Sequence, residues 1–431
     1  MRNRAYASIP VNRVDWQKVV AGRDGQELVL GMDIGKYEIR GTGRWPDATF
    51  ERSWRVDNPL AIPVLVGLIN QLRQGRRLVV ALEPTGTYGD ALRQALHDAG
   101  VSMQRISPKA SHDYAEVFDG VPSQHDGKDA AIIAELAALG KGKDWPYEPA
   151  SAWEHELAYW VERLDWHSRI QAMGCGLLES LLARHWPEAS RVLEITSATM
   201  LRALAEYGGP AALAADPAAA TRLRRWGGKF LKAEKVAALL ASAGRTVGVR
   251  QGEWDSRRLR EHAQQTRAAR QEVERCKRHL KALAQEHAVL KAQGRVVGLP
   301  TACVLWVGVG DPGNYPCGRA YRKALGLNLA ERSSGRYQGQ LKISKRGDAR
   351  SRKWLYLATL RQVKLAGVQQ WYQAKKARDG RGARRALVAV MRRLALALYQ
   401  VGARGAVFDS RRLFAGIVAR KARSERAATS R

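Results

Sequence analysis

The chain has 431 residues, 45% of them hydrophobic, and 72 Lys and Arg against 41 Asp and Glu give a formal net charge of +31. This excludes a disordered chain and leaves enough length for two or three domains with sizeable cores. No apolar run approaches bilayer length, and the longest, residues 296–310, carries Pro300 and Thr301, so no membrane partner is expected.

In chain order, residues 27–31 (ELVLG) predict a buried β-strand that runs into Met32 and Asp33, and residues 38–43 begin a returning strand. Residues 60–72 have helical periodicity, with Leu60, Val64, Leu68 and Leu72 on one face. A second apolar strand over 77–82 delivers Glu83 and is broken by Pro84-Thr85-Gly86. A helix over 88–99 stops at Gly100, a third strand over 101–106 closes at Pro108, and a helix over 129–139 stops at Gly140. Strands alternating with helices predict an α/β domain over residues 25–145. A linker covers 141–149, and a helical and coiled-coil spacer follows over 150–293. Breaks fall at Gly208-Gly209-Pro210 and Gly227-Gly228, and residues 254–290 suit a long exposed or coiled helix. A mostly α-helical C-terminal domain over 294–395 opens with two short helices joined by a tight turn, and a basic extension covers 396–431.

Two further features bound the setting. The cysteines, Cys175, Cys276, Cys303 and Cys317, form no Cys-x-x-Cys pair and no disulfide framework, which argues against zinc and fits a reducing cytoplasm. Arg2 and Arg4 have no apolar stretch behind them, so a secretory signal is not expected. The charge is unevenly placed: residues 1–150 hold 19 basic and 19 acidic residues, whereas 341–431 hold 24 basic and 4 acidic. A one-sided basic segment is the footprint of a phosphate-backbone partner.

Three segments offer acids where metal chemistry needs them. Asp33 and Glu83 each end an apolar strand, and Asp126 and Asp129 sit three apart at a helix start, so both can face one side. Such an oxygen-only set suits magnesium, and ions held there can activate an attacking oxygen and stabilise a leaving one. Each acid also has a structural reading: Asp126 and Asp129 suit a helix N-terminus, and Asp33 suits a strand end. Glu83 fits that reading least, since Glu is a poor choice directly after a buried apolar run.

Met32-Asp33-Ile34-Gly35-Lys36, Leu82-Glu83-Pro84-Thr85-Gly86-Thr87-Tyr88 and Asp126-Gly127-Lys128-Asp129-Ala130 resemble the three acidic motifs of the insertion-sequence-110 family of transposases, which includes pilin-gene invertases. The resemblance implies a ribonuclease-H-like (RuvC-like) fold for the first domain, with Asp33, Glu83, Asp126 and Asp129 as the metal ligands. A second match lies downstream. Residues 324–329 (ALGLNL) lead into Ser333-Ser334-Gly335 and then 343–348 (ISKRGD), similar to the family's C-terminal transposase domain. There the resemblance implies a nucleophilic serine, Ser334 first and Ser333 second. Arg332, Arg336, Lys342, Lys345 and Arg346 surround the motif, and their charge suits contacts to nucleic-acid phosphates. The resemblance further implies a composite site between subunits of a dimer or tetramer, a covalent protein–DNA intermediate, and a guide RNA that pairs with donor and target DNA in a prokaryotic, nucleoid-associated setting.

Two other functions fit the residues. One is a structure-selective junction nuclease that uses the acids with water, with a site-specific invertase as a close variant of the transposase chemistry. The other is a catalytically inactive nucleic-acid binder. Lys345-Arg346-Gly347 before a helix also suits a phosphate-contact turn. His125 reads as a neighbour of the acids, and Trp354, Tyr356, Trp371 and Tyr372 read mainly as core. No Walker-A loop or dinucleotide fingerprint occurs, so neither ATP nor NAD chemistry is expected.

Overall fold

A computed structural model describes residues 7–84, 86–120, 126–331, 339, 341–380 and 382–415. The chain divides into two compact units, Met1–Pro149 and Ala150–Arg431.

The first unit is a mixed sheet between two helical layers. Its elements in order are β1 (Ile9–Pro10), α1 (Trp16–Val20), β2 (Leu28–Ile34), β3 (Glu38–Arg44), β4 (Trp54–Asp57), α2 (Ile62–Leu72), β5 (Leu78–Leu82), α3 (Asp90–Asp98), β6 (Ser102–Arg105), α4 (Pro108–Asp119), α5 (Asp126–Ala138) and β7 (Lys143–Asp144). The sheet order is β1-β4-β3-β2-β5-β6-β7. Strands β2, β3 and β4 pair antiparallel, while β5 and β6 continue from β2 in parallel. An antiparallel meander extended by parallel strands is the ribonuclease-H-like arrangement expected from the sequence.

Alternation along β2 divides the two faces. Leu28, Leu30, Met32 and Ile34 enter a core with Ile62, Leu65, Ile69, Leu92 and Leu96 of α2 and α3. Val29 enters the opposite core with Ile132, Ile133, Ala134 and Ala137 of α5. The buried face of α2 differs from the face read by periodicity: Leu60 and Val64 are exposed. The helix starts at Ile62 with Pro63 in its first turn, so Leu60 lies before it, and its buried stripe is Ile62, Leu65, Ile69 and Leu72. In so apolar a segment, periodicity alone selects no face.

The second unit is built on a helical hairpin. Helices α6 (Ala152–His185) and α12 (Glu253–Glu286) pack antiparallel. At one end Leu157, Val161 and Leu164 meet Val273, Cys276 and Leu280, and at the other Leu178 and Leu182 share a core with Leu259 and Ala263. Between these ends Gly174 passes Thr266 so closely that a Cβ would come within 2.1 Å of its Oγ1. The far tip is a cap of five short helices: α7 (Ala189–Val192), α8 (Ala198–Tyr207), α9 (Pro210–Ala215), α10 (Ala219–Gly227) and α11 (Ala233–Gly244). Around the near end wrap α13 (Ala288–Val297), α14 (Leu299–Val309), α15 (Gly318–Ala324), the hairpin β8 (Leu329–Ala330) and β9 (Lys342–Ile343), α16 (Ala349–Gln362), α17 (Ala366–Asp379) and α18 (Gly382–Ala403). Helices α13 and α14 are bent by 119° at Gly298, whose φ is 88°. That is the tight turn expected at the start of this module.

Residues 383–403 amend one expectation. Ala383–Ala403 is long and apolar enough to cross a membrane. Its Val390, Met391, Leu394 and Leu398 are instead buried in the core of the second unit. Arg384, Arg385, Arg392 and Arg393 interrupt the apolar run, so the sequence alone does not show its length.

Buried Asp165 on α6 ties the hairpin to α16. It accepts hydrogen bonds from Lys353 Nζ (2.8 Å) and Trp354 Nε1 (3.0 Å), and pairs with Arg169. Burial alone would raise its pKa, but these hydrogen bonds outweigh it and hold the carboxyl at about 2.

Candidate metal centre and basic turn

Strand register places the first two acids. Gly31 pairs with Ala81 and Met32 with Leu82 in the parallel β2–β5 ladder, so Asp33 and Glu83 leave neighbouring strand ends on the face toward α5. Helix α5 can approach that face because β2 carries no side chain at Gly31. A Cβ there would lie 2.2 Å from the Ala130 carbonyl oxygen and 2.8 Å from the Ala134 Cβ. One turn before Ala130 the same helix carries Asp126, with Asp129 beside it. Two ion pairs fix α5 further: Glu135 with Arg44 of β3, and fully buried Lys128 with Asp119 at the end of α4, 2.6 Å away.

The result is a convergence of three acids. Asp33, Asp126 and Asp129 each bring a carboxylate oxygen within 4.8 Å of the others. Glu83 stands outside that trio but within electrostatic reach of Asp33 and Asp129. The Asp33 pKa is pushed up to about 6, first by burial and then by the charges of Asp129, Asp126 and Glu83, with Arg40 opposing. Glu83 is also raised, by burial and by Asp129, against the effect of nearby Ser111. That buried hydroxyl finds no hydrogen-bond partner of ordinary geometry among the described residues. Crowded carboxylates that raise one another's pKa are a set a divalent cation relieves, and oxygen-only donors suit a hard ion. The donor set therefore fits divalent-metal use.

Arg40 has no place in the sequence motifs. It lies on β3, directly opposite Asp33 on β2. Its Nη1 meets Asp126 Oδ2 at 2.5 Å, and its Nε donates to Glu38 at 2.6 Å. Of the acid motif's neighbours, His125 lies outside the described residues. So do Arg332, Ser333, Ser334 and Arg336 of the serine motif.

The motif's flanks are described. Lys342 is in β9, and Lys345 and Arg346 form the turn before α16. Lys342 and Arg346, with Lys323, Asn328 and Ser344, line a basin of about 740 Å³. Lys345 sits at φ 56°, a left-handed conformation that costs a residue with a Cβ. Arg352 holds this turn, its Nη1 donating to the carbonyls of Leu325, Lys345 and Gly347 at 3.3–3.5 Å. The Ser344 amide donates to Asn328 O and the Lys345 amide to Gly326 O. The expected phosphate contact at the N-terminus of α16 needs amending, because the Asp348 side chain caps that end and accepts from the Ser351 amide. Of the aromatics, Trp354 and Trp371 are buried in the core, while Tyr356 is 39% exposed.

Residues 30–165 match a family model described as transposase, of the IS110 DEDD type, and residues 293–375 match the model described as transposase IS116/IS110/IS902 family. No curated protein matches. Among solved structures the chain is similar to T. thermophilus RuvC in complex with Holliday junction substrate. That match has 16% identity and a TM-score of 0.22, and covers 28% of this chain and 99% of that one.

Proposed function

From a chain that belongs to the IS116/IS110/IS902 family of transposases, and so is a DNA-cleaving and rejoining enzyme, we propose a transposase in which Asp33, Glu83, Asp126 and Asp129 hold magnesium and Ser334 attacks DNA. The observation that carries the metal half is the convergence of Asp33, Asp126 and Asp129 within 4.8 Å, with Glu83 alongside. When bound, the cation supplies charge stabilisation on the scissile phosphate and raises the reactivity of an attacking oxygen.

The chain's own residues do the rest. Asp33, Asp126 and Asp129 provide the ligands nearest one another, and Glu83 completes the set from the adjacent strand end. The Ser334 hydroxyl, or that of Ser333, attacks phosphorus and gives up its proton. An O–P bond to serine forms as one DNA O–P bond breaks, releasing a DNA hydroxyl. Rejoining reverses these bonds with a second DNA hydroxyl, so no external energy source is needed. Lys342, Lys345 and Arg346, with Arg332 and Arg336, neutralise the phosphates around the scissile one. The basic second unit suits both DNA and a guide RNA encoded by the element, and the working form is a homo-oligomer in the prokaryotic cytoplasm.

The test compares two variants of the full chain on element-end DNA. Glu83→Gln should lower strand cleavage about 100-fold or more, as removal of a metal ligand does, while DNA affinity changes little. The double variant Ser333→Ala/Ser334→Ala should abolish covalent protein–DNA adducts and strand transfer together. Cleavage retained in the double variant overturns the serine nucleophile and leaves a carboxylate nuclease that uses water. Recombination retained in Glu83→Gln overturns the metal assignment.

A further inference from the structure

We infer that the corner between α10 and α11, at the tip of the helical hairpin, is a contact site for an unpaired polynucleotide strand. The corner is strongly basic. Residues 222–235 contain Arg222, Arg224, Arg225, Lys229, Lys232 and Lys235 against a single acid, Glu234. All six cations are exposed. Arg222 pairs with Asp216 at 3.6 Å, and the other five form no ion pair with any of the described residues.

The backbone of the corner explains how an aromatic ring stays outside. Helix α10 ends at Gly227, where a Cβ would lie 2.3 Å from the Leu231 Cβ, and the chain then turns at Gly228 with φ 54°. That close approach anchors Leu231 against the core of the cap. Phe230, one residue earlier, is left 87% exposed, with Lys229 Nζ 5.4 Å from its ring centroid. Its neighbour Trp226 is held inward, under Arg202 and beside Tyr207.

A free aromatic face among uncompensated cations is the pairing that single-stranded nucleic acid uses. Cations track the phosphates and the ring stacks on a base. Duplex DNA offers the same phosphates but no free base face, so Phe230 favours an unpaired strand. The two ends of the hairpin core, near Leu164 and near Leu182, are roughly 27 Å apart along α6. The tip therefore holds a strand well away from the phosphates gathered around the basic turn. It adds a second anchoring point, and it does not depend on the metal or the serine.

The full-length protein is titrated with a fluorescent 20-mer single strand, as DNA and as RNA, and with blunt duplex DNA, across a range of salt. Phe230→Ala should weaken binding of one or both single strands about tenfold, leave duplex binding unchanged, and keep the salt slope. Phe230→Trp should restore the affinity. The triple variant Arg224→Ala/Arg225→Ala/Lys229→Ala should weaken every probe and lower the single-strand slope by about 2. Photocrosslinking of a thio-substituted single strand should mark the peptide carrying Phe230. Single-strand affinity unchanged in Phe230→Ala, equal losses on duplex, or no adduct on that peptide overturns the inference. So does a Phe230→Ala variant whose only change is weaker self-association, since the corner would then be a protein contact.

Discussion

Arg40 shows how much a single side chain adds to the acid site. Cross-strand pairing opposite Asp33 brings its guanidinium to Asp126, where it offsets part of the repulsion among the carboxylates when no cation is bound. The same contact competes with a cation for the Asp126 oxygen. Arg40→Ala should therefore tighten manganese binding about threefold or more by calorimetry, and slightly lower the melting temperature of the metal-free protein. Unchanged or weaker affinity would mean that Arg40 orients Asp126 and does not compete at it. Lys128 is the opposite case. It sits inside the acidic motif and is fully buried against Asp119. Sequence gives its charge, but the packing of α4 on α5 decides where that charge points.

Among elements, the decisive pair is β2 and α5. The strand was legible from its apolar run, and so was the helix, although it begins at Asp126, earlier than the expected residue 129. What brings their acids together is the missing side chain at Gly31. Gly31→Ala places a methyl group against the Ala130 carbonyl and the Ala134 Cβ, so α5 must move outward. Overpacking of this kind costs about 1–3 kcal/mol. The variant should show a lower denaturation midpoint together with weaker metal binding, because Asp126 and Asp129 move with the helix. A stability loss without any change in metal affinity would show that Asp33 and the α5 acids are positioned independently. Strands β1, β4 and β7, with two to four residues each, leave no sequence pattern, since pairing and not propensity holds such short segments.

Across the whole molecule, charge and stability divide by unit. The first unit is neutral and carries the acids, so the net +31 falls entirely on residues 150–431. The second unit depends on buried polar ties as well as apolar packing, and Asp165 is the main one between α6 and α16. Its folded pKa, about 2, lies below the ordinary 3.8. Its contribution is therefore complete above about pH 4 and is lost as pH falls through about 2, and by linkage it amounts to roughly 2 kcal/mol. Asp165→Asn should destabilise the protein by about that amount at pH 7 in urea melts, and the gap from the unmodified chain should narrow below pH 4. A gap that stays constant down to pH 2 would show that the loss comes from packing and not from charge.

The sequence by itself determined the strands that carry Asp33 and Glu83, the helix that carries Asp126 and Asp129, the long helices of the spacer and the basic second unit. Each of these follows from local patterns: apolar runs, helical periodicity and net charge. The family followed from three short motifs and one downstream match, and the family models cover the same segments. Only the tertiary structure decided that Asp33, Asp126 and Asp129 form the tight trio with Glu83 beside it, that Arg40 joins them, and that Arg352 holds Lys345 in its left-handed turn. The acid site joins residues far apart in the chain, fixed by strand register and by one glycine's close approach, and the Arg352 contact spans a turn whose backbone conformation is held by tertiary packing; no local pattern carries that information.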